Sequence, residues 1–255
     1  MPLDDRKFGR ADTVARLNAQ ARGLGAQDIL RLALSDPATR DGALVSSFGA
    51  ESVVLLHLMS QIDPSYPVIF IDTRLLFAET LDYQRDVARQ LGLTNVRVTR
   101  TDPAALRRAD PDDTLHQRDT AACCDLRKAR PLEQALGGFS AWITGRKRFQ
   151  AATRAALEPF ELDGDRIKVN PLADWTAEDL KAYIADHDLP RHPLVAKGYP
   201  SIGCTPCTTP VGAGEDPRAG RWRGSDKVEC GIHFVNGRAV RGPIAAPAAA
   251  TAAKE

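Results

Sequence analysis

Short apolar runs alternate with longer helix-patterned stretches through the first hundred residues, and this rhythm constrains the chain more than any other feature. Ala43-Leu44-Val45-Ser46, the run 67–72 with Val68, Ile69, Phe70 and Ile71, and the run 95–99 read as short strands. Between the first two, 51–61 carries Val53, Val54, Leu55, Leu56, Leu58 and Met59, a helix apolar on most sides and therefore buried. A further helix over 77–91 ends at Gly92. Such alternation specifies an α/β fold, with a mostly parallel sheet and helices on both faces. In sheets of this kind ligands bind beyond the carboxyl ends of the strands.

The remainder is patterned less clearly. Apolar residues between Thr13 and Leu34 predict two short helices broken near Gly23 and Gly25. A helix from Ala121 meets an expected boundary at Arg130, because Pro131 follows. Ser140 to Thr144 reads as a strand, and Thr176 to His187 as a helix with Thr176 at the N-cap and Asp179 completing a capping box. Beyond Leu189, prolines and glycines predict long loops, and the Ala- and Pro-rich tail from Pro243 predicts disorder. The expected organisation is a single domain over 1–242, with a mobile C-terminal arm from about residue 210 and a disordered tail at 243–255. The net charge of +1 gives no case for a nucleic-acid partner. The polar N-terminus lacks a signal-peptide core, and no apolar run reaches the roughly 18 residues of a membrane span. The expectation is a cytoplasmic protein with no membrane partner.

Three segments at strand ends suggest an anion site. Ser46-Ser47-Phe48-Gly49-Ala50-Glu51-Ser52 links a strand to a helix, with small residues that let backbone approach a ligand and a helix N-terminus suited to phosphate. It lacks the lysine of a Walker loop. Asp72, at the end of the second strand, is placed to accept from a base amine or ribose hydroxyl. Arg146-Lys147-Arg148, with Arg154 behind it, follows the strand at 140–144, where guanidinium forks suit phosphate or sulfate. Alone, the first reads rather as a serine-capped turn and Asp72 as a cap, while the cationic run is equally a solvated charged face.

Five cysteines complete the inventory: Cys123, Cys124, Cys204, Cys207 and Cys230. Adjacent Cα atoms lie about 3.8 Å apart, below the roughly 4.4–6.8 Å usual for a disulfide, so Cys123 and Cys124 are a poor disulfide pair. The two pairs together offer four thiolates for zinc or an iron–sulfur cluster. Zinc ligands are usually spaced by two or more residues, so the adjacent pair favours a cluster. Lys128, four residues beyond Cys124, shares its face if the segment is helical, with Arg127 beside it. Cys230 is left over, in a polar, glycine-bearing stretch after Arg218, Arg221 and Arg223 that favours a reactive thiolate, with His233 near enough in sequence to tune it.

Taken in order, these segments resemble the adenylyl-sulfate and phosphoadenylyl-sulfate reductases. Ser46 to Glu51 is similar to their modified pyrophosphate loop; Cys123-Cys124 and Gly203-Cys204-Thr205-Pro206-Cys207-Thr208 resemble the cluster motifs of the adenylyl-sulfate branch. Arg218-Ala219-Gly220-Arg221-Trp222 and Glu229-Cys230-Gly231-Ile232-His233 resemble the family's C-terminal catalytic signature. The resemblance implies an adenine-nucleotide alpha-hydrolase-like fold, a 4Fe-4S cluster on Cys123, Cys124, Cys204 and Cys207, and reduction of adenylyl sulfate to sulfite and AMP with thioredoxin or a similar dithiol as donor. It implies Cys230 as nucleophile through an S-sulfocysteine, with Lys128 and His233 in support. Ser46, Ser47, Phe48, Gly49, Asp72, Thr73, Arg148, Arg154, Arg218 and Arg221 are then the expected substrate contacts. The phosphoadenylyl-sulfate substrate is the alternative. Ser52, Arg74 and Ala78 depart from the usual pattern, where aspartate, glycine and proline are common. More distant alternatives are an ATP-using tRNA-modifying enzyme and a zinc-stabilised nucleotide-binding module.

Overall fold

The computed structural model describes residues 9–223, 234–235 and 238–239. In chain order come α1 (Arg10–Ala21), α2 (Ala26–Ser35), β1 (Gly42–Ser46), α3 (Ser52–Ser60), β2 (Val68–Ile71), α4 (Ala78–Gln90), β3 (Val96–Thr99) and α5 (Pro103–Ala109). Then follow α6 (Leu115–Arg118), α7 (Thr120–Cys124), a π-helical turn (Asp125–Ala129), α8 (Arg130–Ala135), β4 (Ala141–Ile143), β5 (Phe160–Asp163), β6 (Arg166–Val169) and α9 (Ala177–Asp186). A backbone hairpin pairs β7 (Phe234–Val235) with β8 (Arg238–Ala239).

Six strands form one sheet in the order β3-β2-β1-β4-β6-β5. All neighbours are parallel except the β5–β6 hairpin at one edge. Alternate strand residues face opposite sides. Leu44, Val68, Phe70, Ile143, Ile167 and Val169 join the main core beneath α1, α2, α3, α4 and α9. Ala43, Ile69 and Trp142 pack on the other face against Leu132 and Leu136, from α8 and the residue after it. The expected mostly parallel sheet with helices on both faces is what forms. Among the described residues, no helix is long and apolar enough to cross a membrane.

The chain lays β2 and β3 to one side of β1, then crosses to lay β4 on the other. Loops leaving β1 and β4 therefore diverge and open a crevice at the carboxyl edge, the place where such sheets bind ligands.

One element overturns its sequence expectation. The helix does not stop before Pro131; α7, the π turn and α8 run on to Ala135. Proline removes a donor from the ladder. The π turn accommodates this: Arg130 N–H donates five residues back to Asp125 O, and the Leu126 carbonyl accepts from Thr101 Oγ1 at 2.8 Å. The β5–β6 hairpin is a second departure, because Phe160-Glu161-Leu162-Asp163 falls in a region the alternation argument left unassigned.

Candidate active site

A cavity of about 450 Å³ opens at the carboxyl edge of the sheet. Its first wall is the loop from β1 to α3. Ser46 is buried, and its Oγ accepts from Phe48 N–H at 3.1 Å. Phe48 takes a left-handed φ of 48°, a conformation that costs an L-residue roughly 1–2 kcal/mol. Its ring, fully buried and edge-on to Phe70 at 5.2 Å, supplies the offsetting contact. Gly49 N–H donates to Ser52 Oγ at 3.0 Å, and the hydroxyls of Ser47 and Ser52 lie 3.4 Å apart. A Cβ on Gly49 would sit 3.3 Å from Ser47 Oγ. Ser46, Ser47 and Gly49 thus line the cavity at the N-terminus of α3, while Phe48 is not among the lining residues and anchors the turn from within the core.

Cations make the second wall. Lys128, Arg146, Lys147, Arg154, Arg218 and Arg221 all line the cavity, with Glu51 and Asp216 as the lining carboxylates. Lys147 is nearly inaccessible, and its Nζ donates to Glu51 Oε2 at 2.6 Å; Gln150 donates to the same oxygen at 3.0 Å. Burial pulls the Lys147 pKa down, Glu51 pulls it up, and nearby Arg154 and Arg218 lower it again. Arg146 is engaged by Glu161 and by Asn170 Oδ1. Arg221 donates to Ser201 Oγ and Ile202 O and lies 4.5 Å over the Trp222 ring. It rests directly on Gly203, where an added Cβ would come within 2.4 Å of its Nη2.

Besides Phe48, two expected contacts face elsewhere. Asp72 is buried, with Oδ1 accepting from Arg74 N–H at 2.9 Å and Oδ2 from Arg100 Nε at 2.8 Å, and it is absent from the cavity wall. This turn holds Arg74 at a φ of 62°, where glycine would be unstrained. Arg148 donates to Leu157 O and pairs with Asp174, also away from the wall. Thr73 does line the cavity.

Behind Thr73 the two cysteine segments approach each other. Cys204 bridges to Leu76, Thr205 N–H donates to Leu75 O at 2.7 Å, and Thr73 Oγ1 lies 3.2 Å from Cys204 Sγ. Arg127, fully buried, donates to Thr73 O and to Asp110 and Asp113. It thereby ties the Cys123-Cys124 helix to the same turn. Burial pushes the Cys123 thiol up to about 11; Arg127 draws it down, and Cys204 and Cys207 push it further up. The two pairs thus lie within electrostatic reach of each other. Among the described residues, no group of three or more His, Cys, Asp or Glu is placed to hold a metal ion. Lys128 lies on the π turn and lines the cavity.

The first part of the expected C-terminal arm folds back on the Cys204–Cys207 loop. Thr209 N–H donates to Gly220 O, Trp222 N–H to Cys207 O, and Thr208 bridges Arg221. Trp222 and both Arg218 and Arg221 reach the cavity as a result. Cys230 and His233 lie outside the described residues, as does the tail 243–255.

Gln150 and Thr80 carry no signal in the sequence, and Glu51 and Lys147 stand in motifs without a role of their own, yet all four line the cavity. Lys147 was visible within the cationic run, but a run of three cations does not say which of them points inward. Glu51 is an acidic residue in an anion loop, and its use becomes apparent only once Lys147 is seen bonded to it.

A phosphoadenosine phosphosulfate reductase domain matches residues 42–210. An adenosine 5'-phosphosulfate reductase of Mesorhizobium japonicum is 51% identical over 236 residues, which are 91% of this chain and 93% of that protein. A phosphoadenosine 5'-phosphosulfate reductase of Gloeobacter violaceus is 43% identical over 74% of this chain and 81% of its own length. Among solved structures, the phosphoadenylyl-sulfate (PAPS) reductase of Candida auris in its phosphate complex superposes with a TM-score of 0.66 at 27% identity, covering 82% of this chain and 99% of that one.

Proposed function

This chain belongs to the phosphoadenosine phosphosulfate reductase family, and we propose that it reduces adenylyl sulfate to sulfite and AMP in cytoplasmic sulfate assimilation. The observation that carries this reading is the cavity itself, where a small-residue loop at a helix N-terminus shares one wall system with Lys128, Lys147, Arg154, Arg218 and Arg221. Such a surface suits a nucleotide bearing adjoining phosphate and sulfate groups.

The substrate is a mixed anhydride of sulfate and AMP. In this reading the Cys230 thiolate attacks sulfur, the S–O bond to AMP breaks, and AMP leaves with the bond's electron pair. A thiolate of thioredoxin or a similar dithiol then attacks the Cys230 sulfur and releases sulfite; its second thiol closes the disulfide, so the dithiol supplies both electrons. This divides one difficult displacement into two easier ones. Lys128, Arg218 and Arg221 neutralise the oxygens that would repel the thiolate, and His233 tunes it. Cys230 lies eight residues beyond Trp222, a wall residue, a tether of at most about 28 Å.

The donor set of Cys123, Cys124, Cys204 and Cys207 fits a 4Fe-4S cluster: two segments held to one turn, with three of the four side chains buried. These four residues would hold it. A bound cluster would tie the two segments together and supply a fixed charge to that part of the molecule. In the resembling family the cysteine pairs mark the adenylyl-sulfate branch, which favours that substrate. The Gloeobacter relative supports the phosphoadenylyl-sulfate alternative.

Anaerobically purified protein, assayed for sulfite release with each nucleotide and counted for iron, sulfide and zinc, tests the reading. It predicts iron and sulfide without zinc, and a higher kcat/KM for adenylyl sulfate. Equal or reversed kcat/KM values overturn the substrate preference, and no sulfite from either nucleotide overturns the reaction.

A further inference from the structure

His192 is fully buried between α4 and the turn that follows it, and both its ring nitrogens are committed. Nδ1 accepts from the backbone N–H of Leu194 at 3.2 Å, as the cap of a short helical turn. A nitrogen that accepts carries no proton, so in the neutral ring the proton sits on Nε2. Nε2 lies 3.0 Å from Thr80 Oγ1. It therefore donates, and Thr80 accepts. Burial holds the imidazole neutral, with its pKa pushed down to about 4. A protonated ring would also have to point a second N–H at Leu194 N–H.

This takes up one acceptor site of the Thr80 hydroxyl. Its oxygen is taken as an acceptor, so its own hydrogen must be donated elsewhere. A threonine in a first helical turn commonly returns that hydrogen to a carbonyl one turn back. Here, among the described residues, His192 is the one hydrogen-bond partner of Oγ1. Thr80 is 1% exposed and lines the cavity.

We infer that Thr80 is a hydrogen-bond donor to the bound nucleotide, oriented by His192, and that it meets an uncharged acceptor of the nucleoside half, a ring nitrogen or a ribose oxygen. A neutral hydroxyl suits such an atom better than a phosphate or sulfate oxygen, for which the lining cations are provided. His192 is a positioning residue, because it acts through Thr80. The inference rests on the proposal that the cavity binds an adenine nucleotide.

Calorimetry with AMP on the full, cluster-containing protein tests it. Thr80→Val keeps the shape and removes the hydroxyl; it is expected to bind AMP about tenfold more weakly, while Thr80→Ser stays close to the parent. Thr80→Ala serves as a second hydroxyl-free variant if the valine one does not fold. The ¹⁵N spectrum of the histidine rings gives a readout independent of affinity: His192 Nε2 is expected to carry the proton and Nδ1 to show an unprotonated shift. Unchanged AMP affinity in a folded hydroxyl-free variant, or the opposite tautomer, overturns the inference. Parent protein that binds no AMP overturns the nucleotide reading itself and this inference with it.

Discussion

At the scale of single residues, the cavity depends on close approaches that sequence motifs do not display. Gly203 is one. It precedes Cys204 and passes for part of a cysteine motif, but its missing Cβ is the seat of Arg221. Gly203→Ala meets the far end of a flexible side chain, so the fold should survive while Arg221 is displaced. Loss of a charge-assisted contact of about 1.5–3 kcal/mol predicts a rise in KM of tenfold or more, with iron content unchanged in parallel metal analysis. His192 yields a second expectation, in stability. Its pKa is lowered from 6.5 to about 4, so between those values the unfolded chain binds more protons than the folded one. Stability is then fully present above about pH 6.5 and is lost as pH falls toward 4, by up to about 3 kcal/mol. Denaturant unfolding at a series of pH values should show this slope, and His192→Asn should flatten it.

At the scale of elements, the continuous path from α7 through the π turn to α8 places Cys123, Cys124, Arg127 and Lys128 together. It is sustained by a compensation between distant parts of the chain. Pro131 brings no N–H, and Thr101, on the loop after β3, satisfies the Leu126 carbonyl instead. Thr101→Val should strand that buried acceptor and cost about 1–3 kcal/mol. In a Pro131→Ala background an N–H becomes available nearby, so the same substitution should cost less. A double-mutant cycle by chemical denaturation reads the coupling directly. The same compensation explains why the sequence predicts a boundary here: a proline reads as a stop when its rescue lies thirty residues away. By contrast, Thr176 and Asp179 form the capping box their spacing predicts, because both partners are local.

At the scale of the whole molecule, the α/β class, the three leading strands and the two cysteine pairs were legible because each rests on short-range pattern. The adenine-nucleotide alpha-hydrolase-like fold follows the family resemblance, and the likeness to the Candida auris structure agrees with it. The β5–β6 hairpin was not legible, because its alternation is short and its two strands fill one sheet edge. Nor did sequence reveal that Asp72 turns to Arg100 or that Lys147 turns to Glu51, since both choices are made by tertiary packing. The molecule joins these levels through one turn, 72–76, which touches the cavity through Thr73 and Leu76 and the second cysteine segment through Cys204. In the proposed reaction this assembly presents adenylyl sulfate to Cys230. Incubation with ³⁵S-labelled adenylyl sulfate, followed by denaturation and peptide mapping, tests it most directly. Label is expected on the peptide carrying Cys230, discharged as sulfite by reduced thioredoxin, and none in Cys230→Ser that still binds AMP and keeps its iron; label retained in that variant would contradict Cys230 as the nucleophile.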